Sequence, residues 1–177
     1  MPWSAPVIFT LTELEHHPIL FEVSYPPGEL AFSDELTQTT DLTATGSATL
    51  LHNTLGEIRV RGNVNVGLTT VCVRCLETAP LSFDSEFDFF YRPAIKKGAH
   101  GEVHLEEGEI DISFYEGDGV KLEDVLREYV LLGQPMRALC QEDCKGLCPQ
   151  CGINRNRTSC TCAPAPQSTP WAALKDL

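Results

Sequence analysis

Most of the chemistry available to this chain lies in eight cysteines, six of which fall between Cys140 and Cys162. That stretch reads C-QED-C-KGL-C-PQ-C-GINRNRTS-C-T-C, and the other two stand far upstream in Cys72-Val-Arg-Cys75. Cysteine thiolates in groups of four suit structural zinc, which takes four ligands in a closed tetrahedral site. Cys148-Pro-Gln-Cys151-Gly152 has the form of a zinc knuckle. Two thiolates two residues apart share one ion while the backbone N–H groups of the turn point at the sulfurs. Pro149 pre-sets φ at the start of that turn, and Gly152 supplies a positive φ where it closes. Cys72 and Cys75 repeat the spacing. Cys140 and Cys144, four apart, suit one face of a helical turn. Cys160 and Cys162 would point the same way from an extended strand, or converge in a tight turn.

Eight thiols divide into two four-thiolate sites. The preferred division is Cys72, Cys75, Cys140 and Cys144 for one, and Cys148, Cys151, Cys160 and Cys162 for the other, although spacing alone does not fix ligand partners. Three other chemistries compete. An even cysteine count invites disulfides. The opening MPWSAPVIFTLTELE, however, has no basic segment followed by an apolar one, so the expectation is a cytoplasmic chain with reduced thiols. A redox CxxC belongs at the start of a helix, whereas CVRC follows a strand-like run and precedes LETAP, a poor helix start. An iron–sulfur cluster would also accept four thiolates.

These thiols need a frame, and the frame is legible as strands. In DLTATGSATLL, Leu42, Ala44, Gly46, Ala48 and Leu50 alternate with threonines and a serine. In EIRVRGNVNVGL, Ile58, Val60, Gly62, Val64, Val66 and Leu68 alternate with Glu57, Arg59, Arg61, Asn63 and Asn65. After Pro80, Leu81, Phe83, Phe87, Phe89 and Tyr91 face in while Ser82, Asp84, Glu86, Asp88 and Arg92 face out. Period-two alternation marks strands with one packed and one wet face, as in an antiparallel sheet. CVRCLETA is then the bend between two strands, and it presents two thiols at one end of the sheet. Ile19 to Tyr25 reads as a further strand, ended by Pro26-Pro27-Gly28, and residues 28–41 as an exposed loop. Residues 93–109 are glycine-rich and charged without periodicity, so His100 and His104 read as solvent-exposed. Residues 109–112 suggest a short edge strand.

Val120 to Leu132 is the main helix, with Leu122, Val125, Leu126, Tyr129 and Val130 on one face, Asp118 as the expected N-cap, and Gly133 and Pro135 as the stop. Thr169-Pro170 opens a short terminal helix, WAALKDL, whose Trp171 docks on its own domain or on a partner. The expected fold is therefore α+β: an antiparallel sheet core packed by one main helix (residues 1–136), a cysteine-rich zinc-binding segment (137–163), and a linker with a docking helix (164–177).

The formal net charge of −12 argues against non-specific binding to phosphate backbones. Arg137, Lys145, Arg155 and Arg157 nonetheless outnumber Glu142 and Asp143 around the cysteines. This local patch either offsets thiolate charge or offers a limited RNA contact through Arg155 and Arg157. No apolar run approaches the roughly 18 residues that span a bilayer. No phosphate-binding glycine loop, nucleophile elbow or HExxH is present. No small-molecule substrate and no enzymatic activity is expected, since a zinc ion filled by four thiolates cannot activate water.

The ordered set of motifs resembles the YceD family, the large ribosomal RNA subunit accumulation proteins. The resemblance runs from CVRCLE after a strand, through Ile110-Asp111-Ile112 and the helix leading to Pro135, to the segment from Cys140 to Asn154 with its Cys160-Thr-Cys162 ending. It closes with PWAALKDL. It implies a non-enzymatic role in ribosome biogenesis, with the eight cysteines as zinc ligands, Trp171 as a docking side chain, and a large-subunit precursor (rRNA or a ribosomal protein) as partner. The alternative is a zinc-stabilised interaction module unrelated to ribosomes.

Overall fold

The computed structural model describes residues 6–94 and 112–162. The chain divides into two compact units, Met1–Thr70 with Pro80–Met136, and Val71–Ala79 with Arg137–Leu177. In chain order the elements are β1 (Ile8–Thr10), α1 (Leu11–Leu14), β2 (Ile19–Tyr25), β3 (Thr37–Gln38), β4 (Leu42–Leu50), β5 (Ile58–Val71), β6 (Thr78–Pro93), β7 (Ile112–Tyr115), β8 (Gly119–Lys121) and α2 (Leu122–Leu132).

Among the described residues a six-stranded sheet runs in the order β2-β4-β5-β6-β7, with β3 also paired to β5. The alternating sequences become β4 and β5, paired antiparallel from Thr43 opposite Asn65 to Leu50 opposite Ile58. Their inward residues Leu42, Ala44, Ala48, Ile58, Val60, Val64, Val66 and Leu68 are all buried. Gly46 and Gly62 face each other in that register. A Cβ on Gly46 would lie 2.7 Å from Phe21 Cζ, and one on Gly62 would lie 3.1 Å from Phe87 Cζ. The paired glycines therefore make room for two aromatic rings, which is why the alternation is interrupted by residues with no side chain.

The sheet is mixed rather than purely antiparallel, because β7 pairs with β6 in parallel, Phe90 opposite Ile112 through Pro93 opposite Tyr115. The long alternating strands β4 and β5 are antiparallel as their pattern suggests, whereas the four-residue β7 is too short to show in its own sequence which way it joins the edge. Nor is the 28–41 stretch simply an exposed loop: it contains β3, and Leu30, Leu36 and Gln38 are buried. The Gln38 amide donates to the backbone oxygens of Tyr25 (2.7 Å) and Thr40 (2.9 Å), which lets a polar side chain sit inside. Within residues 93–109, those from 95 onward lie outside the described residues, as do His100, His104 and residues 109–111.

The helix begins two residues later than its apolar periodicity suggests. Gly119–Lys121 is drawn into an antiparallel pair with β1, so Lys121 rather than Asp118 is the N-cap, without a side-chain capping bond. Glu123 serves the helix start differently: its Oε1 accepts from the Val7 N–H (2.9 Å) and the Tyr25 hydroxyl (3.1 Å). Leu122, Val125, Leu126 and Val130 are buried in the same apolar cluster as the sheet's inner face. Tyr129 meets Phe83, Phe87 and Phe89 with ring centroids 5.3–5.5 Å apart. The helix ends at Gly133, whose N–H bonds the Tyr129 carbonyl.

Candidate metal centres

All eight thiols lie in the second unit, and all are free. Its first knuckle is the bend between β5 and β6. The Cys72 N–H bonds the Glu77 carbonyl at 2.8 Å, and the Leu76 N–H bonds the Cys72 carbonyl at 2.9 Å. This closes a tight turn around Cys72 and Cys75, both buried. The Leu76 backbone is left-handed (φ +61°). The Val73 N–H bonds the Ala138 carbonyl (3.0 Å), and the Leu147 N–H bonds that of Arg74 (3.0 Å). The later cysteine stretch is thereby laced to the knuckle by main-chain bonds.

These bonds bring Cys140 and Cys144 to the upstream pair. The sulfurs of Cys72 and Cys144 are 3.8 Å apart, and those of Cys75 and Cys140 are 3.5 Å apart. All four sulfurs lie within 4.8 Å of one another. Cys140 and Cys144 do not sit on a helical turn. The Cys144 N–H bonds Gln141, three residues back rather than four, and Gly146 at φ +69° turns the chain away. A single turn is enough to converge the two sulfurs.

The second knuckle forms as its sequence suggests. The Gly152 N–H bonds the Cys148 carbonyl at 2.9 Å, with Gly152 at φ +72°. The Cys148 N–H bonds Ile153 (2.8 Å), and Leu147 bridges Asn154, so the chain folds back on itself. Cys160 and Cys162 return to complete a tetrad with Cys148 and Cys151, again with every sulfur within 4.8 Å of the others. Cys148 is buried, Cys160 half-buried, and Cys151 and Cys162 exposed.

The protonation balance within each tetrad is uneven. Burial works against ionisation of Cys72. The N–H groups of Cys140, Cys75 and Arg74 outweigh it and lower this thiol to about 6. The N–H groups of Cys151 and Gln150 lower Cys148 to about 6. Burial and the neighbouring thiols of Cys75, Cys144 and Cys72 push Cys140 up to about 12. Cys162 is pushed up to about 12, chiefly by the Cys151 thiol. Four crowded sulfurs cannot all carry charge unless a cation sits among them, and with one present they all can. Each tetrad is able to hold a metal ion.

Three contributors carry no signal in the sequence pattern. Asn156 donates from Nδ2 to Cys144 Sγ (3.2 Å) while its Oδ1 accepts from the Lys145 N–H (2.7 Å). This amide is the leading cause that lowers the Cys144 thiol. Arg74 donates from Nη1 to the Cys144 carbonyl (2.9 Å). Glu77 forms an ion pair at 2.6 Å with Arg157, one of the two arginines expected to meet a partner. The other, Arg155, is exposed, and its main-chain N–H bonds Gly146. Trp171 lies outside the described residues.

Fold and site together define an α+β protein of mixed sheet and one main helix, with two four-cysteine clusters built around paired knuckles. A family model described as "Large ribosomal RNA subunit accumulation protein YceD" matches residues 60–177, a span that takes in all eight cysteines. The chain belongs to the YceD family. It is 27% identical over 132 residues to a protein of Zea mays named "Large ribosomal RNA subunit accumulation protein YCED homolog 1, chloroplastic". The match covers 62% of this chain and 45% of that protein, so the chain spans under half the length of its relative. That relative's name places it in the chloroplast, a compartment other than the cytoplasm expected for this chain. No solved structure matches the chain. Among the described residues, no helix is long and apolar enough to cross a membrane.

Proposed function

We propose that this chain is a non-enzymatic factor in biogenesis of the large ribosomal subunit, acting as a binding protein whose second unit is held in shape by two zinc ions. The observation that carries the reading is the family match across residues 60–177, which contains both tetrads. Zinc fits the sulfur geometry. A tetrahedral ion with Zn–S bonds of about 2.3 Å places its ligands about 3.8 Å apart. The observed 3.8 Å and 3.5 Å agree with that spacing, and both exceed the roughly 2.05 Å of a disulfide. A site closed by four thiolates has a structural rather than a hydrolytic character. Val71, Val73 and Leu76 beside the ligands are exposed, and apart from cysteines the buried apolar residues among those described in this unit are Ala79 and Ala138, so the ion supplies cohesion that an apolar core supplies elsewhere.

The acidic balance of the chain, −12, favours a basic protein partner on the precursor. Arg155 permits a limited RNA contact beside it. Deletion of the gene followed by rRNA quantification, with sucrose-gradient sedimentation of the tagged protein, tests the role. The expected result is a deficit of large-subunit rRNA and co-sedimentation with large-subunit precursors. Normal rRNA levels together with absence from those fractions would overturn it.

A further inference from the structure

We infer that the two metal sites are energetically coupled, and that Asn156 is the positioning residue that couples them. The inference rests on the zinc reading above and goes beyond it by linking the two ions. Asn156 lies in the loop between Cys151 and Cys160, both members of the second tetrad. Its side chain is spent on the first. Nδ2 donates to Cys144 Sγ at 3.2 Å, and Oδ1 receives the N–H of Lys145 at 2.7 Å. The same amide thus touches one sulfur and fixes the path of the backbone just after it.

Asn156 is itself held from the second tetrad's side. Its N–H donates to Asn154 Oδ1 at 2.9 Å, and Asn154 bridges Leu147, next to Cys148. The Cys148 N–H bonds Ile153, and the Arg155 N–H bonds the Gly146 carbonyl at 2.9 Å. A metal at the second site closes the loop from Cys151 to Cys160 and so restricts where Asn156 sits. With that site empty, the loop loses one of its two anchored ends and the amide is no longer pre-placed against Cys144. Partners outside the ligand set typically change metal affinity 10–100-fold when removed. Coupling of this kind is reciprocal, so loading the first site strengthens the second by the same factor.

The test uses the full chain in a double-mutant cycle. Zinc affinity of the first site is measured by competition with a chromophoric chelator. Cobalt absorption of the tetrahedral thiolate site serves as a second readout. Cys151→Ser with Cys162→Ser disables the second site, Asn156→Ala removes the link, and Gln141→Ala, at an exposed side chain in the same stretch, is the control. Disabling the second site is expected to weaken the first about 10–100-fold, and Asn156→Ala to weaken it similarly. Combining the two is expected to add little, because both remove one interaction. Asn156→Asp keeps the oxygen acceptor but sets an oxygen against the thiolate, so it should weaken the first site at least as much as alanine and shift the cobalt spectrum. First-site affinity unchanged in Asn156→Ala, or losses that multiply in the combination, would overturn the coupling. Two ions bound independently defeat this inference alone. A wild-type chain that takes up no zinc defeats the zinc reading beneath it.

Discussion

Leu76 and Gly152 occupy the same place in two copies of one turn. Each follows the second cysteine of a CxxC, each sends its N–H to the carbonyl of the first cysteine at 2.9 Å, and each has a left-handed backbone, φ +61° and +72°. Glycine adopts that conformation freely, whereas leucine pays about 1–2 kcal/mol. Leu76 is 65% exposed, so little packing offsets the strain. Leu76→Gly is therefore expected to stabilise the metal-loaded protein by about 0.5–1 kcal/mol after the added freedom of the unfolded chain is counted. Gly152→Ala should cost about 1 kcal/mol. Urea unfolding of the zinc-loaded protein checks both, and a destabilised Leu76→Gly would mean that the side chain makes a contact.

Purified protein should carry two zinc ions per chain by elemental analysis, one for each thiol tetrad. Acid should remove them. Cys72 and Cys148 are lowered to about 6 from an ordinary 9.0. A lowered thiol contributes stability that is fully present above 9.0 and is lost as pH falls through about 6. Protons then compete directly with the metal for the same sulfurs. A bound cation holds the same thiolates to lower pH still, so melting temperature and chelator-reported zinc should drop together in acid, below the range in which the metal-free thiols titrate. Retention of zinc at pH 4 with an unchanged melting temperature would contradict the assignment.

The glycine pair in the sheet predicts a local failure. A Cβ at Gly46 would collide with the Arg61 carbonyl oxygen and lie 2.7 Å from the Phe21 ring. Gly46→Val forces strands or rings apart and should cost about 1–3 kcal/mol, as overpacking generally does. Denaturant titration measures it. Zinc content per folded chain should not change, because neither glycine belongs to the unit that holds the thiols.

Alkaline conditions should unfold the sheet unit. Burial, with Glu123 beside its hydroxyl, raises Tyr25 above its ordinary 10.0. Burial together with Glu128 and Asp124 raises Tyr91, and burial alone raises Tyr115. A group whose folded value is raised contributes stability that is complete below 10.0 and is lost as pH climbs toward the folded value. The tyrosinate absorbance at these sites should appear together with loss of circular dichroism above about pH 10 rather than before it. Ionisation of all the tyrosines near pH 10 with the fold intact would contradict the burial of Tyr25 and Tyr91.

Sequence pattern revealed what repeats locally. The strands around Ala44, Val60 and Phe87 and the helix around Leu126 carry their own periodicity, and the division preferred among the thiols, which spacing alone does not fix, coincides with the two clusters in the structure. Long-range features left no such trace. Pairing of β1 with β8 joins Phe9 to Val120 and shortens the helix, yet nothing near Val120 announces a partner more than a hundred residues earlier. The parallel seat of β7 and the burial of Leu30 and Leu36 are equally non-local. Asn156 escaped notice because a surface-type residue in a polar loop looks the same whether it faces water or a sulfur.

The first tetrad joins residues far apart in the chain, with Cys72 meeting Cys144 and Cys75 meeting Cys140. Synthesis at about 5–20 residues per second leaves an interval of roughly 4–14 s between emergence of the two halves. Throughout that interval the upstream pair is a bare dithiol, open to oxidants and to scavenging metals. The second tetrad, drawn from one short stretch, closes almost as soon as it emerges. A ribosome that stalls before Cys140 therefore releases a chain with half a metal site, a vulnerability that belongs to birth rather than to the finished protein.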